Sequence, residues 1–600
     1  MAAASPTTLC EAFQTTAARD PGAVALRTVG GKQEITWQQY ADRVRKLAAG
    51  LAALGVGRGD TVGLMVTNRP EASLVDTAAL HLGAVPFSIY NTSSPEQISY
   101  LFSNALNRVV ITQSDFLPRI QAASGTGVEH IVVVDGSAEG ALSLEELESR
   151  GEDGFDLEAA TGAVQPDDIA TLIYTSGTTG PPKGVEITHG NILAEIEGIL
   201  EHVPMGPEDR IISYLPTAHI ADRVTSQYLN MVTGMQVTCL DDPRAIATAL
   251  PDARPTVFFG VPRVWQKIKA GIEAKLHAEP DERKRKIALW GIATGREAAL
   301  RTLSGRSLGL GLGIKHRVAD RLVLGKLRHA LGLDQLRWPA SGAAAIPVDT
   351  LEFFFGIGIP VYEVWGMSET TGAATANTEG AVKLGTVGKT YHGVECKLGD
   401  DGELLCRGPI VMRGYRNNPE KTAETIDADG WVHTGDIAEI DADGYVKIVD
   451  RKKELIISEA GKNMSPSNIE NAMKAQSPLI GQVVAIGDAR PYNTALIVLD
   501  PDVGAVYAEK LGIADGSLAV LAEHPAIVKT ITEAVTAGNA TLSRVEQVKR
   551  FRILQNAWDP GGDELTPTLK LKRRPISDKY APEIEGLYEA TPGPSVVNLG

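Results

Sequence analysis

The sequence predicts an α/β protein with a large N-terminal domain and a small α+β C-terminal domain. Over the first 450 residues, short β-rich runs such as TVGLMV and HIVVVDG alternate with amphipathic helical runs. That alternation is typical of layered helices and sheets with largely parallel strands. From about Gly380 the runs become short and rich in turns, which predicts a small antiparallel β region within the first domain. A chain of 600 residues is too long for one ordinary hydrophobic core, so several subdomains are expected.

Start and stop signals locate individual elements. Thr36 and Gln39 have the spacing of a capping box before a helix, and Gly55 follows its last apolar residue. After position 450, Ser465 and Pro466 suit the N-cap and the first position of another helix. Asp-Gly pairs predict tight turns in the β region: Asp401-Gly402, Asp429-Gly430 and Asp443-Gly444.

Composition restricts the classes of partner. The net charge is −16, with 43% hydrophobic and 22% charged residues. We therefore expect a soluble protein whose main partner is not nucleic acid. The N-terminus lacks the basic and apolar segments of a secretory signal, and no apolar run approaches the roughly 20 residues of a membrane span. A cytoplasmic protein is expected, with peripheral membrane contact and oligomeric state left open.

The cysteines predict neither a disulfide framework nor a redox motif. Cys10, Cys239, Cys396 and Cys406 are scattered along the chain and show no C-x-x-C spacing. We expect free, buried thiols in a reducing compartment.

The stretch YTSGTTGPPKGVEITHGN, from Tyr174 to Asn191, combines hydroxyls, glycines and one lysine after an apolar run. Glycines let backbone N–H groups approach an anion and the lysine adds positive charge, so the loop suits phosphate. It is not a Walker P-loop. Gly177 and Lys183 have the required separation, but no Ser or Thr follows the lysine to bind Mg²⁺. A Gly- and Ser-rich surface loop without a ligand is the alternative on these residues alone.

Five stretches together resemble one family. YTSGTTGPPKG, YEVWGMSETTG, GYRNNPEKT, GWVHTGDI and DRKKELI occur in the order found in the AMP-forming adenylate ligases, which include acyl-CoA synthetases, luciferases and peptide-synthetase adenylation domains. The resemblance covers essentially the whole chain. It implies an N-terminal domain at 1–450 with the acyl, ATP and Mg²⁺ sites, a hinge at 451–453, and a mobile C-terminal lid at 454–600.

The resemblance also implies a nucleotide site. Glu369, together with Thr175, would bind Mg²⁺, which neutralises charge during attack on the α-phosphate. Asp436 would bind the ribose hydroxyls with help from Arg451, and Tyr362 would stack on the adenine. The β- and γ-phosphates would be held by the loop residues Thr175, Ser176, Gly177, Thr178, Thr179, Gly180 and Lys183. Further nucleotide contacts would come from Gly342, Ala343, Gly366, Met367 and Ser368.

A catalytic lysine and a hinge lysine are implied near the end of the resemblance. In ELTPTLKLKRRPI, Lys570 aligns with the family's catalytic lysine, although Leu569 stands where many members have glycine. Lys572 is the weaker candidate, and a solvated lysine among basic neighbours is the plain alternative. The catalytic lysine would bridge the carboxylate and the α-phosphate and stabilise charge at the pentacoordinate centre. Lys453 occupies the hinge position in DRKKELI.

Two motifs concern the acyl side. LPTAHIADR resembles the histidine motif beside the acyl pocket, which makes His219 a candidate catalytic residue, and FFGVPRVWQKI puts Trp265 at the position of an acyl gate. Each residue has a structural alternative, as a satisfied histidine or a core tryptophan. GKNMSPSNIE and the region from about Lys269 to Gln335 resemble bacterial long-chain and bubblegum-like members.

The resulting prediction is an ATP-dependent long-chain fatty acid–CoA ligase. Fatty acid, ATP and CoA would be its substrates, with Mg²⁺, and acyl-AMP and diphosphate would form before the CoA thiol displaces AMP. The alternative is a fatty acyl-AMP ligase that passes the acyl group to a carrier-protein thiol. A kinase would release ADP, and a nucleotide-binding sensor would show no turnover. The preferred chain length is left open, since one buried methylene contributes only about 0.8 kcal/mol.

Overall fold

A computed structural model describes residues 5–123, 127–151, 154–175, 181–457, 463–566 and 569–599. Helices and sheets are layered as the sequence predicts. One sheet is entirely parallel, with strands in the spatial order Val85–Ser88, Thr61–Met65, Val109–Thr112, His130–Val133 and Leu142–Ser143. A second sheet adds one antiparallel strand to three parallel ones: Arg210–Ser213, Gln236–Cys239, Val24–Thr28 and Glu34–Thr36.

A third sheet changes from parallel to antiparallel in its middle, at the strand that carries the motif YEVWGM. Its strands are Val257–Gly260, Trp338–Ser341, Tyr362–Met367, Gly372–Ala376 and Lys389–Thr390. A small antiparallel sheet carries the strands on either side of the predicted phosphate loop: Gly414–Tyr415, Lys183–Thr188 and Ile169–Thr175. Several predicted site residues therefore lie at strand ends.

The antiparallel β region predicted after Gly380 is confirmed. Its four strands are Glu395–Leu398, Glu403–Arg407, Val432–Ile440 and Val446–Arg451. All three Asp-Gly turns have their glycine at positive φ, as such turns require. The register also brings Cys396 opposite Cys406 with their sulfur atoms 3.0 Å apart, which the scattered spacing did not predict, although both remain free thiols.

Helices cover the sheets of the N-terminal part. The capping box of Thr36 and Gln39 is confirmed at the start of one of them. The α-helices here are Leu9–Arg19, Trp37–Ala53, Pro70–His81, Pro95–Ala105, Leu117–Ala122, Leu144–Ser149, Leu157–Gly162, His189–His202, Ile220–Asp222, Leu229–Thr233, Ile246–Ala253, Pro262–Ala278, Glu282–Leu303, Gly309–Ala319, Gly325–Ala330, Val348–Gly356 and Pro419–Thr425. Arg223–Tyr228 and Asp320–Leu324 are π-helical, and short 3₁₀ turns occur at Val29–Gly31, Pro243–Ala245 and Ser368–Thr370.

The C-terminal part is α+β, as predicted. Ser465 caps a helix that begins at Pro466, which confirms that start signal. The strands are Ile456–Ile457, Asn463–Met464, Ile480–Ile486, Asn493–Leu499, Val548–Leu554 and Val596–Asn598. The helices are Pro466–Lys474, Pro501–Leu511, Leu518–Glu523, Pro525–Asn539, Arg573–Lys579 and Ala581–Tyr588.

The hydrophobic cores lie on either side of the expected hinge. The buried apolar clusters of the described residues run either within 9–446 or within 456–587, and none combines members from both ranges. Polar contacts join the two parts, for example Lys267 Nζ to a carboxylate oxygen of Asp502 at 2.9 Å. Such contacts can be exchanged without opening a core. No helix in the described ranges combines the length and apolar composition needed to cross a bilayer.

Candidate active site

The two strands that flank the predicted phosphate loop are paired so that Thr175 faces Lys183. The amine of Lys183 lies 4.4 Å from the ring centroid of Tyr415. Burial lowers the pKa of Lys183, and the charge of Glu369 acts against that shift. A cation is therefore held at the base of the loop. The other predicted phosphate contacts lie outside the described residues: Ser176, Gly177, Thr178, Thr179 and Gly180.

Glu369 is buried in the 3₁₀ turn Ser368–Thr370. The hydroxyl of Tyr415 donates a hydrogen bond to Oε1 at 2.7 Å, while Oε2 accepts none from the described residues. Burial lowers the pKa of both Lys183 and Lys570, and the Glu369 carboxylate opposes the shift at each. The carboxylate thus interacts electrostatically with one lysine from each part of the chain.

The carboxylate of Glu369 is a ligand that suits Mg²⁺. Mg²⁺ usually binds through one or two carboxylates, substrate phosphates and water rather than a complete protein cage. Glu369 supplies one carboxylate oxygen that accepts no hydrogen bond from the described residues. The described residues contain no group of three or more His, Cys, Asp and Glu side chains that could hold a metal by themselves. Glu369 would therefore act with phosphate oxygens, and the role of Thr175 stays a prediction.

Asp436 is fixed by strand register and by two side chains. It pairs with Arg451 across two antiparallel strands, with Arg451 Nε 2.7 Å from Asp436 Oδ1. The indole N–H of Trp365 donates to Oδ2 at 2.8 Å. Desolvation raises the pKa of Asp436, and the charge of Arg451 acts in the opposite direction. A carboxylate held this firmly can accept hydrogen bonds from a pair of vicinal hydroxyls without reorganising.

Trp365, which was not among the predicted site residues, is an aromatic residue in contact with Asp436. Tyr362, which was predicted to stack on adenine, is buried and lies edge-on to Phe355 with ring centroids 6.4 Å apart. Its role in stacking stays a prediction. In the sequence, Trp365 could have been found from its position directly before Gly366 in the motif YEVWGMSETTG. The same strand and turn carry three other predicted contacts: Gly366, Met367 and Ser368.

The predicted small residues are required by packing. A Cβ at Gly342 would lie 2.8 Å from Val364 Cγ2, and a Cβ at Gly366 would lie 1.6 Å from the carbonyl oxygen of Gly372. Ala343 has φ +70°, in the left-handed region that few non-glycine residues adopt. The backbone is therefore held close and slightly strained where the base is predicted to lie.

Lys570 comes from the C-terminal domain and is electrostatically coupled to the N-terminal site. Burial lowers the pKa of Lys570, and the charge of Arg451 lowers it further, whereas Asp436, Glu454 and Glu369 raise it. Surrounding protein atoms desolvate the amine, although the residue as a whole keeps solvent-accessible surface. The described residues offer its amine neither a hydrogen bond nor an ion pair, so the cation is available to a substrate.

A tight turn presents this lysine. The backbone N–H of Lys570 donates to Thr566 Oγ1 at 2.9 Å, and the N–H of Thr566 donates to the Lys570 carbonyl at 2.8 Å. Leu569 has φ +66°, a conformation that glycine adopts freely and leucine only at a cost of about 1–2 kcal/mol. The Leu569 side chain packs against the second C-terminal core. Lys572 donates to the Gly562 carbonyl at 2.8 Å and is thus engaged elsewhere.

Lys453 lies exposed in the turn after Arg451. Burial lowers the pKa of Lys183, and the charge of Lys453 contributes to that shift. Lys452 donates its N–H to the Gly435 carbonyl at 2.8 Å. The turn is thus bound to the β region through Lys452. The next side chain, that of Lys453, is exposed and makes no hydrogen bond or ion pair with the described residues.

His219 is half-buried and caps the short helix Ile220–Asp222. Its Nδ1 accepts the backbone N–H of Ala221 at 3.1 Å. Burial lowers the pKa of His219 to about 4, and the charge of Lys570 adds to the shift. The imidazole is therefore neutral near pH 7 with its proton on Nε2. It can donate a hydrogen bond from Nε2 but cannot act as a base through Nδ1.

Trp265 is fully buried between Phe258 and Phe354, with ring centroids at 5.2 and 4.9 Å. Its indole N–H donates to the carbonyls of Gly260 and Ala340, both at 3.2 Å. These contacts are those of a core residue in the present arrangement. A gating role stays a prediction and requires both hydrogen bonds to break.

Two family models match consecutive parts of the chain. A model for AMP-binding enzymes matches residues 13–416, and a model for the C-terminal domain of AMP-binding enzymes matches residues 453–592. The gap between the two matches contains the strand with Asp436 and the turn before Lys453. The two matched regions correspond to the two sets of hydrophobic cores.

Curated relatives cover most of the chain. The fadD11 protein of Mycobacterium tuberculosis, a fatty-acid–CoA ligase by name, is 55% identical over 460 residues, which are 76% of this chain and 80% of that protein. The long-chain-fatty-acid–CoA ligase FadD15 of Mycobacterium bovis is 36% identical and covers 92% of both chains. The long-chain-fatty-acid–CoA ligase ACSBG2 of Xenopus laevis is 32% identical over 98% of this chain and 85% of that protein.

Solved structures share the fold. An anthranilate CoA ligase in complex with anthranoyl-AMP superposes with a TM-score of 0.74 at 20% identity, covering 96% of this chain and 98% of that one. The adenylation domain of a carboxylate reductase from Mycobacterium chelonae has a TM-score of 0.76 at 20% identity, covering 97% and 91%. At this identity the likeness concerns the fold alone.

Proposed function

Because the chain belongs to the AMP-binding enzyme family, we propose that it is an ATP-dependent long-chain fatty acid–CoA ligase. Fatty acid and ATP give acyl-AMP and diphosphate, and CoA then gives acyl-CoA and AMP. The resemblance read from the motifs is confirmed at the level of the family. The names of all three relatives support a fatty acid substrate and the CoA acceptor, and the names of FadD15 and ACSBG2 support a long chain.

The convergence of Lys570 with Asp436 and Glu369 carries the proposal. These residues come from two domains. Burial lowers the pKa of Lys570, and the charges of Asp436 and Glu369 act against that shift. Burial raises the pKa of Asp436, and the charge of Lys570 acts against that shift. The arrangement is that of a closed site prepared for the first half-reaction. A cation whose amine has no hydrogen-bond or ion-pair partner in the described part of the chain can bridge the fatty carboxylate and the α-phosphate, where negative charge develops.

Other residues hold the nucleotide. Asp436 accepts hydrogen bonds from the ribose hydroxyls, and Lys183 binds the departing diphosphate. Glu369 would hold Mg²⁺, which supplies charge neutralisation at the phosphates when bound. His219 donates from Nε2 to an oxygen of the acyl carboxylate. Each group acts mainly by position and charge, as phosphate chemistry requires.

The second half-reaction needs a different face of the C-terminal domain. We place the rotation at 451–453, with Lys453 as the pivot, because separate cores flank this segment. The CoA thiol then attacks the acyl carbonyl, and AMP leaves. Such conformational steps commonly separate half-reactions.

The test is product analysis with purified protein, ATP, Mg²⁺ and palmitate, with and without CoA. We expect AMP and palmitoyl-CoA when CoA is present. Palmitoyl-AMP that accumulates despite CoA would favour transfer to a carrier-protein thiol instead. Release of ADP, or no nucleotide turnover with any fatty acid, would contradict the proposal.

A further inference from the structure

A helical segment on the surface has unusual composition for this protein. It comprises residues 282–330, with helices Glu282–Leu303, Gly309–Ala319 and Gly325–Ala330 and the π-helical turn Asp320–Leu324. We call it the basic helical hairpin. A Cβ at Gly291 would lie 2.8 Å from Val323 Cβ, so the middle of the first helix packs on the π turn. The hairpin is therefore antiparallel.

The hairpin carries a row of exposed apolar side chains. The row follows one helix at a spacing of four residues: Leu310, Ile314, Val318 and Leu322, with exposures of 89%, 60%, 44% and 50%. Within Gly309–Ala319 the buried residue is Ala319 alone. Four more exposed apolar side chains lie on the neighbouring helix: Ile287, Leu289, Trp290 and Leu300. Of sixteen large exposed apolar residues in the described ranges, eight lie in this hairpin, so the concentration is local and not general.

The hairpin is also strongly positive. Residues 282–330 contain twelve Lys and Arg against three Asp and Glu, a net charge of +9 in a chain whose net charge is −16. Three of these cations form ion pairs: Lys286 with Glu282, Arg296 with Glu352 and Arg328 with Asp320. For the other nine, the described residues provide no ion pair. The positive charge is therefore uncompensated on an acidic protein.

We propose that the basic helical hairpin docks on the surface of an anionic phospholipid bilayer. An exposed apolar row flanked by Lys and Arg is the pattern of a helix that lies in a membrane interface. Each Lys or Arg near an anionic surface is attracted to it. A second copy of this chain does not suit the exposed face of the hairpin, because a symmetric contact would bring two segments of charge +9 together. Nucleic acid would suit the charge but leave the apolar row in water.

The hairpin lies next to the acyl side of the site. The carbonyl of Gly356 would lie 2.0 Å from a Cβ at Gly295, so the hairpin packs on the helix Val348–Gly356. Phe354 of that helix contacts Trp265. A docked hairpin would therefore hold the acyl side near the bilayer, where fatty acids partition. The docking itself does not rest on the proposed function, since it is measured without substrate.

The test is cosedimentation of the full chain with vesicles of phosphatidylcholine alone or with about one-third phosphatidylglycerol. We expect at least tenfold tighter binding to the anionic vesicles, weakened by salt. Without binding through the hairpin, the chain's net charge of −16 would cause the anionic vesicles to repel the protein. The double variants Leu310→Ser/Ile314→Ser and Lys315→Glu/Arg317→Glu should each lose about tenfold in affinity. The altered side chains are all exposed, so folding should be retained.

Matched controls lie outside the hairpin. Leu106→Ser alters an apolar residue with 67% exposure, and Arg45→Glu/Lys46→Glu reverses two exposed cations on another helix. Both controls should bind vesicles like the unaltered chain. Absence of binding to anionic vesicles, equal loss in the controls, or unchanged binding of both hairpin variants would overturn the proposal. A dimer that Leu310→Ser/Ile314→Ser converts to monomer would also overturn it, because the row would then cover a second copy.

Discussion

The predicted nucleotide end and the predicted acyl end of the cleft are held in opposite ways. At the nucleotide end, charged groups are fixed by strand register and directed hydrogen bonds, as in the contacts of Asp436 with Arg451 and Trp365. At the acyl end, Trp265 is held by aromatic packing between Phe258 and Phe354. The first kind of contact tolerates almost no change of atom type, whereas the second depends on volume and shape.

This difference predicts different consequences of substitution. Loss of one oxygen at the nucleotide end leaves buried partners unpaired, so the effect on catalysis should be large and specific for ATP. Loss of volume at the acyl end should weaken the fold and alter which chain fits. The variants below separate these two behaviours.

Asp436→Ala should have the largest effect on catalysis of the predictions here. It removes the predicted ribose acceptor and leaves Arg451 and Trp365 without their partner. Charge-assisted hydrogen bonds contribute about 1.5–3 kcal/mol each, so kcat/KM for ATP should fall about 100-fold or more. Steady-state kinetics with varied ATP measure this kcat/KM. The control Asp443→Ala, in an exposed turn of the same sheet, should change kcat/KM for ATP less than about twofold. An equal loss in both variants would contradict a specific role of Asp436.

Lys453→Pro should impair the second half-reaction about tenfold while leaving adenylation near normal. Proline fixes φ near −65° and would restrict rotation at the proposed hinge. The measurement is palmitoyl-AMP formation without CoA, compared with palmitoyl-CoA formation from supplied palmitoyl-AMP. Lys453→Ala removes the charge but not the backbone freedom and serves as the control. Unchanged thioester formation by Lys453→Pro would reject the hinge.

Trp265→Ala should alter chain-length preference severalfold and ATP dependence little. The cavity left in the core should also lower the free energy of unfolding by about 3–5 kcal/mol. Kinetics with fatty acids from C8 to C18, at a temperature where the variant is folded, give the profile. If the profile keeps its shape while stability falls, Trp265 is a core residue and not a gate.

The pH dependence of adenylation should contain no His219 titration above about pH 5. The pKa of His219 is lowered to about 4 from its usual 6.5, so the folded protein keeps it neutral while the unfolded chain binds a proton below 6.5. Its contribution to stability is therefore lost as pH falls from 6.5 towards 4. His219→Asn should slow adenylation only severalfold and leave the pH–rate profile between 5.5 and 8 unchanged. An inflection near 6.5 that disappears in the variant would show that His219 titrates during turnover.

The comparison of the two ends also explains what the sequence could predict. The nucleotide end follows from short contiguous motifs, because each places its residues at a strand end or turn. Trp365 was missed since its contact with Asp436 joins positions 71 residues apart. The meeting of Cys396 and Cys406 depends on strand register, which spacing does not reveal.

The acyl side was less predictable for a physical reason. Apolar side chains pack by shape, and many sequences fill one volume. The charged stretch EPDERKRK, residues 279–286, has the composition of a solvated helix face, and it is largely exposed. The apolar row from Leu310 to Leu322 was not anticipated, because GLGLGI carries too many glycines to predict a helix.

The most direct test of the closed site measures both half-reactions of Lys570→Ala beside Lys572→Ala. We predict that Lys570→Ala lowers palmitoyl-AMP formation at least about 100-fold, yet converts supplied palmitoyl-AMP and CoA to palmitoyl-CoA within a few-fold of the unaltered rate. Lys572→Ala should retain adenylation, since Lys572 donates to the Gly562 carbonyl. Equal loss of both half-reactions in Lys570→Ala, or loss of adenylation in Lys572→Ala alone, would contradict the account.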